Sequence, residues 1–201
     1  MATVLILFAH PLLEKSRAHL QLIAAARNLP GVTIHDLYER YPDFDIDVRR
    51  EQQLLSEHDY IVLQFPFYWY STPPLLKQWQ DLVLEHGWAY GRKGTALEGK
   101  RIFAAISSGG SQEAYQEQGF NRYPLADYLR PLERTAGLCR MQWWPPFWVP
   151  GVHRIDDHDL RRYGQQYRQL LTALTGDLLR DDEALNAAYL NELLPSSTNT
   201  I

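Results

Sequence analysis

The chain has 201 residues, enough for one domain of ordinary size with a substantial core. Hydrophobic residues make up 45% and the net charge is −4, a globular balance that argues against a broad nucleic-acid footprint. No apolar run approaches the roughly 20 residues of a bilayer span. The start, MATVLILFAHP, lacks the basic segment of a signal peptide. The single cysteine, Cys139, permits no disulfide, so a cytoplasmic protein is expected.

In chain order, residues 3–10 (TVLILFAH) form a short continuous apolar run, the mark of a strand covered on both faces. Ser16 then caps an amphipathic helix to about residue 27, which Pro30-Gly31 ends. Residues 32–37 read as a second strand, and Asp47 as the cap of the next helix. Residues 60–65 form a third apolar strand, followed by a helix over 74–86 that begins on proline, where proline fits best. A glycine-punctuated loop leads to a fourth strand over 101–110, a helix over 123–137, a fifth strand over 139–144 and a helix over 156–175. Pro145-Pro146 is expected to end the fifth strand and open a loop to residue 154. Residues 181–194 form a further helix candidate, and PSSTNTI a frayed tail. Five strands alternating with helices predict an α/β domain, a doubly wound five-stranded parallel sheet with helices on both faces. The domain is assigned to residues 1–176, with a helical extension and tail over 177–201.

Open parallel sheets bind ligands beyond the carboxyl ends of their strands. Three informative segments fall there: AHPLLEKSRAH after the first strand, FPFYWY after the third and SSGGSQEAYQEQGFNRYP after the fourth. The first enters a helix N-terminus at Ser16-Arg17, where free N–H groups suit a phosphate. Ser16 alone reads equally as a plain helix cap, and His10 alone as a structural residue. Ser107-Ser108-Gly109-Gly110 lets backbone approach a planar ligand, because no Cβ intrudes. Phe67, Tyr68, Trp69 and Tyr70 supply an apolar wall. A flat ring, a phosphate and little need for charged catalytic groups together describe a flavin mononucleotide, which carries its own redox chemistry. His153 and His158 lack the carboxylate or cysteine company of a metal site, and no metal is expected.

The segments FAHP, KSRAHLQL, IHDLYERYPDFDID, QFPFYWYSTPPLLKQWQDLVLEHGWAYGRKGTALEGK and ISSGG closely resemble the flavodoxin-like NAD(P)H:quinone oxidoreductase family. Within it, NRYPLADYLRPLERTAGLCRMQWWPP is similar to the ancillary proteins of bacterial glutathione-regulated potassium-efflux systems. The resemblance implies FMN rather than FAD, with NAD(P)H as donor and a quinone or other electrophile as acceptor. It implies contacts from His10, Ser16, Arg17, Ala18 and His19 on the phosphate side. Phe67, Tyr68, Trp69 and Tyr70 would contact the ring, and Ser107, Ser108, Gly109 and Gly110 its opposite edge. Tyr115 matches a tyrosine that stabilises the reduced ring, whereas Asn121 stands where larger quinone reductases place a histidine. His19 stands where several relatives carry asparagine.

The resemblance further implies a homodimer and a membrane potassium-efflux protein as partner, met at the cytoplasmic face of the inner membrane. The alternative function is a non-catalytic flavin-binding regulatory subunit of such an antiporter. Trp143, Trp144, Phe147 and Trp148 cluster in sequence, and a monomer is expected to have difficulty hiding them, which favours the dimer. Residues 144–154 and 128–134 are the candidate partner surfaces.

Overall fold

The computed structural model describes residues 1–194, so the PSSTNTI segment lies outside the described residues. Six strand segments, β1 (Val4–Phe8), β2 (Val32–Asp36), β3 (Tyr60–Pro66), β4 (Arg101–Ser107), β5 (Gln142–Trp143) and β6 (Phe147–Val149), form one parallel sheet. The order is β2-β1-β3-β4-β5, with β6 also paired to β4. This is the flavodoxin-like order, and it places the reversal of winding between β1 and β3.

The continuous apolar runs follow from burial on both faces. Leu5, Leu7, Ile61, Leu63, Phe65, Ala104 and Ile106 pack on one side with Leu55, Leu76, Trp79 and Leu129. These come from α3 (Val48–Glu57), α4 (Pro74–Val83) and α5 (Leu125–Leu138). The alternate residues Val4, Ile6, Phe8, Val62, Phe103 and Ala105 meet Leu22, Tyr167 and Leu171 on the other side. Those belong to α1 (Arg17–Ala26) and α6 (Asp157–Thr175). The expected caps Ser16 and Asp47 are in place, and Asp156 caps the last long helix; each accepts a first-turn amide.

Three local readings change. A four-residue helix, α2 (Leu37–Arg40), follows β2 directly, because the Asp36 carboxylate accepts the amides of Tyr38 and Glu39. The fifth strand does not end at Pro145-Pro146. The prolines lack donors and interrupt the ladder, and the chain resumes beside β4 as β6, with Ala105 opposite Phe147. The expected helix over 181–194 is α7 (Asp181–Asn186) followed by a 3-10 turn, Leu190–Leu193.

The tryptophan-rich segment also corrects an expectation. Trp144, Phe147 and Trp148 are buried within this one chain, in both layers of the core. They therefore give no reason for a second subunit, and residues 144–149 offer no exposed aromatic docking surface. From the C-terminal segment, Ala184, Leu190 and Leu194 share the layer of Trp144 and Phe147, and Tyr189 packs against Trp148.

Candidate functional site

The C-terminal ends of β1, β3 and β4 open into a cleft of about 770 Å³, a size suited to a cofactor. His10, Ser16, Arg17, Ala18, Phe67, Tyr68, Trp69, Tyr70, Ser107, Gly109, Gly110 and Tyr115 all line it, so three loops distant in sequence converge there. His19 and Ser108 do not line it; both side chains are buried behind the wall. Lys15, Phe120, Asn121 and His153 line it as well. The sequence reading gave them no binding role.

On the β1 side, the Leu12 amide donates to His10 Nδ1 at 3.1 Å. Neutral His10 therefore carries its proton on Nε2. Burial lowers the His10 pKa against a smaller opposing pull from Glu14, which favours this neutral donor form. Ser16 is extended, and its Oγ accepts the His19 amide at 3.2 Å. Besides the His19 amide, the first-turn amides of α1 have no acceptor inside the helix, an arrangement that suits an anion. The Arg17 guanidinium is engaged elsewhere: it donates to the Asp157 carboxylate and to Ile155 O, tying α1 to the start of α6. Lys15, in a 3-10 turn over Leu13–Lys15, is the cation of this side that no salt bridge occupies among the described residues.

Behind this corner runs a buried polar chain. The Tyr167 hydroxyl donates to Gln64 Oε1 at 2.9 Å, and Gln64 Nε2 reaches His19 Nδ1 at 3.3 Å. His19 Nε2 lies 3.0 Å from Ser107 Oγ. With the Gln64 amide oxygen taken by Tyr167, its NH₂ group donates to Nδ1, and the His19 proton must sit on Nε2. Ser107 Oγ is then an acceptor toward His19, and its own hydrogen is left to donate into the cleft. Burial, aided by nearby His10 and opposed weakly by the Phe65 carbonyl, lowers the His19 pKa to about 3. The chain of donors keeps one direction across the ordinary pH range.

On the β3 side, the aromatic run makes a tight turn. The Ser71 amide donates to Tyr68 O at 3.0 Å, and Trp69 and Tyr70 have φ of 50° and 63°. Two positive values at the central positions define a type I′ turn, which normally takes Asn-Gly. Bulky residues there are strained by about 1–3 kcal/mol each, and such strain concentrates at functional sites. Trp69 is 93% exposed, so packing in this chain does not compensate. Trp69→Gly is therefore expected to raise stability by about 1 kcal/mol, after the larger unfolded-state entropy of glycine is set against the relieved strain. Ligand binding in the cleft should weaken in the same variant. Urea unfolding paired with a ligand titration checks this; a less stable variant would show that the turn is unstrained.

The β4 loop explains both glycines and Ser108. A Cβ on Gly109 would lie 2.9 Å from the His153 ring, so a side chain there would displace His153 before it reached a ligand. A Cβ on Gly110 would lie 3.0 Å from the Tyr115 ring and 3.2 Å from Asn121. Ser108 Oγ turns inward, donating to Gly110 O and accepting from Trp148 Nε1, both at 2.9 Å. Tyr115 packs edge-on to Trp148 and Tyr128. Burial, with the nearby Tyr70 and Tyr128, raises its pKa to about 12, so its hydroxyl is a proton-bearing donor near neutrality. Asn121 Oδ1 accepts from the Tyr70 hydroxyl at 3.2 Å, and its carbonyl accepts from Tyr128.

A family model described as flavodoxin-like fold matches residues 2–171. A glutathione-regulated potassium-efflux system ancillary protein KefG, from Cronobacter sakazakii, is 48% identical over 170 residues, 85% of this chain and 92% of the relative. The crystal structure of general stress protein 14 from Treponema denticola, in complex with FMN, is similar at a TM-score of 0.80. It is 41% identical and covers 86% of this chain and 99% of its own. An NADPH-quinone reductase from P. pentosaceus has a TM-score of 0.76 and 34% identity, covering 84% and 96%.

Proposed function

This chain belongs to the flavodoxin-like fold family, and from that premise we propose that its cleft binds FMN and reduces a quinone or related electrophile with NAD(P)H. The observation that carries the reading is the convergence on one cleft of an anion corner, a strained aromatic wall and two donors, Ser107 and Tyr115, without protein acceptors among the described residues. The residues present fit the cofactor. The first turn of α1, with Ser16 and Lys15, would hold the phosphate. Phe67 to Tyr70 would flank the ring on one side, and Gly109, Gly110 and Tyr115 on the other. FMN, when bound, supplies the redox chemistry. Ser107 and Tyr115 offer hydrogen bonds, and the open mouth admits donor and acceptor in turn.

Exposed Trp69 and Phe120 on the cleft support a homodimer that closes over the mouth. The similarity to KefG favours a second role as an ancillary protein docking on a potassium-efflux system. No helix among the described residues is long and apolar enough to cross a membrane, so that docking would use protein contacts. Residues 128–134 remain the candidate surface for it. In the regulatory alternative, flavin binding occurs without turnover.

The test is a fluorescence titration with FMN and FAD, followed by absorbance before and after anaerobic NADPH and then a quinone. Saturable FMN binding with bleaching and quinone-dependent recovery is expected. Binding without bleaching would select the regulatory role, and no flavin uptake would end both readings.

A further inference from the structure

The fifth lane of the sheet has a free side. Val149 O accepts the Ser108 amide of the β4 loop at 3.0 Å. Strand alternation then turns the N–H and C=O of Trp148 outward, to the sheet edge. An unpaired edge is a template for pairing with another chain. Here the chain covers it with its own C-terminal segment, past residue 171 where the family match ends. Asn191 Oδ1 accepts the Trp148 amide at 2.9 Å, and Asn191 Nδ2 donates to the Trp148 carbonyl at 3.1 Å. The Leu190 amide takes the neighbouring Pro146 carbonyl at 3.0 Å. One carboxamide thus reproduces the two bonds a partner strand would make, which a carboxylate or an aliphatic side chain cannot do. The segment is fastened at its start by a two-bond ion pair, Arg101 to Asp181 at 2.9 and 3.0 Å.

The consequence reaches the cleft through Trp148. Its indole N–H holds Ser108 Oγ, its ring packs edge-on to Tyr115 at 5.5 Å, and its other side meets Tyr189 at 5.1 Å. We propose that residues 181–194 form an intramolecular edge strap, in which Asn191 is a positioning residue that fixes Trp148 and, through it, Tyr115 in the cleft wall and Ser108 behind it. The effect on cofactor rests on the FMN reading; the strap itself does not.

The experiment uses full-length Asn191→Ala and Asn191→Asp. Amide hydrogen exchange on the cofactor-free proteins should show faster exchange at Trp148 and over 108–111, with exchange in β1 and β3 unchanged. FMN affinity should fall about tenfold in Asn191→Ala. Asn191→Asp, which keeps an acceptor for the Trp148 amide but faces its carbonyl with a second oxygen, should fall between. Should Asn191→Ala fail to fold, Asn191→Asp decides by the same two readouts. Wild-type exchange at Trp148 in a folded variant would overturn the strap. Faster exchange with unchanged FMN affinity would overturn the positioning role. If the wild type binds no flavin, the cofactor reading fails while the exchange measurement still decides the strap.

Discussion

Lowering the pH from 7 to 5 is expected to cost the protein about 2 kcal/mol of stability through His19 alone. The unfolded chain takes up a proton near the ordinary value of 6.5, whereas the folded His19 does so only near 3. Above 6.5 both states are neutral and nothing is lost. As the pH falls below it, the unfolded state binds a proton that the native state refuses, and the loss continues down toward the folded value. Urea unfolding at fixed pH steps measures this directly. The neighbouring titratable group is His10, 5.3 Å away between ring centroids, whose lowered pKa adds a smaller loss of the same sign. His19→Asn separates the two. The amide can still donate toward Ser107 but has nothing to titrate, so the profile between pH 7 and 5 should flatten to the His10 remainder. A variant that kept the full wild-type slope would place the acid sensitivity outside this buried chain.

That buried chain marks the limit of what the sequence made legible. Strands β1, β3 and β4 were readable because burial on both faces demands unbroken apolar runs. The caps at Ser16 and Asp47 were readable because capping is local. The three loops of the cleft followed from strand ends alone. What escaped depends on distant chain. His153 is brought against Gly109 by the β6 turn, where Gly151 N donates to Gly110 O at 2.9 Å, and no spacing rule links the two. His19 falls in a segment that reads as phosphate-binding, yet its ring points into the core, because residue 19 shares the buried face of α1 with Ala18, Leu22 and Ile23. The resumption of the fifth strand after two prolines was hidden because only the register with β4 calls the chain back. The clustered aromatics suggested an interface for the same reason: part of what covers them lies some forty positions later, with Ala184, Leu190 and Leu194 in the layer of Trp144 and Phe147, and Tyr189 against Trp148.

The same dependence on distant partners makes Glu51 the residue whose removal should do the most damage. Glu51 is completely buried, yet it is a carboxylate. Its oxygens accept from His35 Nε2 at 2.8 Å, from the Tyr41 hydroxyl and from Trp79 Nε1 at 2.8 Å. Burial alone would raise its pKa; the bonds from His35, Tyr41 and Trp79 outweigh it and hold the carboxyl below 4.5. One side chain thus joins β2, the segment after α2, α3 and α4. The last of these begins just past the aromatic turn of the cleft, so the anchor of Trp79 also steadies that wall. Glu51→Ala leaves three buried donors without an acceptor and should cost about 3–5 kcal/mol. Glu51→Gln keeps one carbonyl oxygen but turns an NH₂ toward a donor, and should cost about 1–3 kcal/mol. The wild-type contribution is complete above pH 4.5 and is lost as the pH falls through the lower folded value, a window that opens well below the onset of the His19 loss near 6.5 and overlaps its acid end. Urea denaturation at pH 7 orders the three proteins. Glu51→Ala within 1 kcal/mol of wild type would mean that the donors find water or other partners, and that this cluster does not bind the helical layer to the sheet.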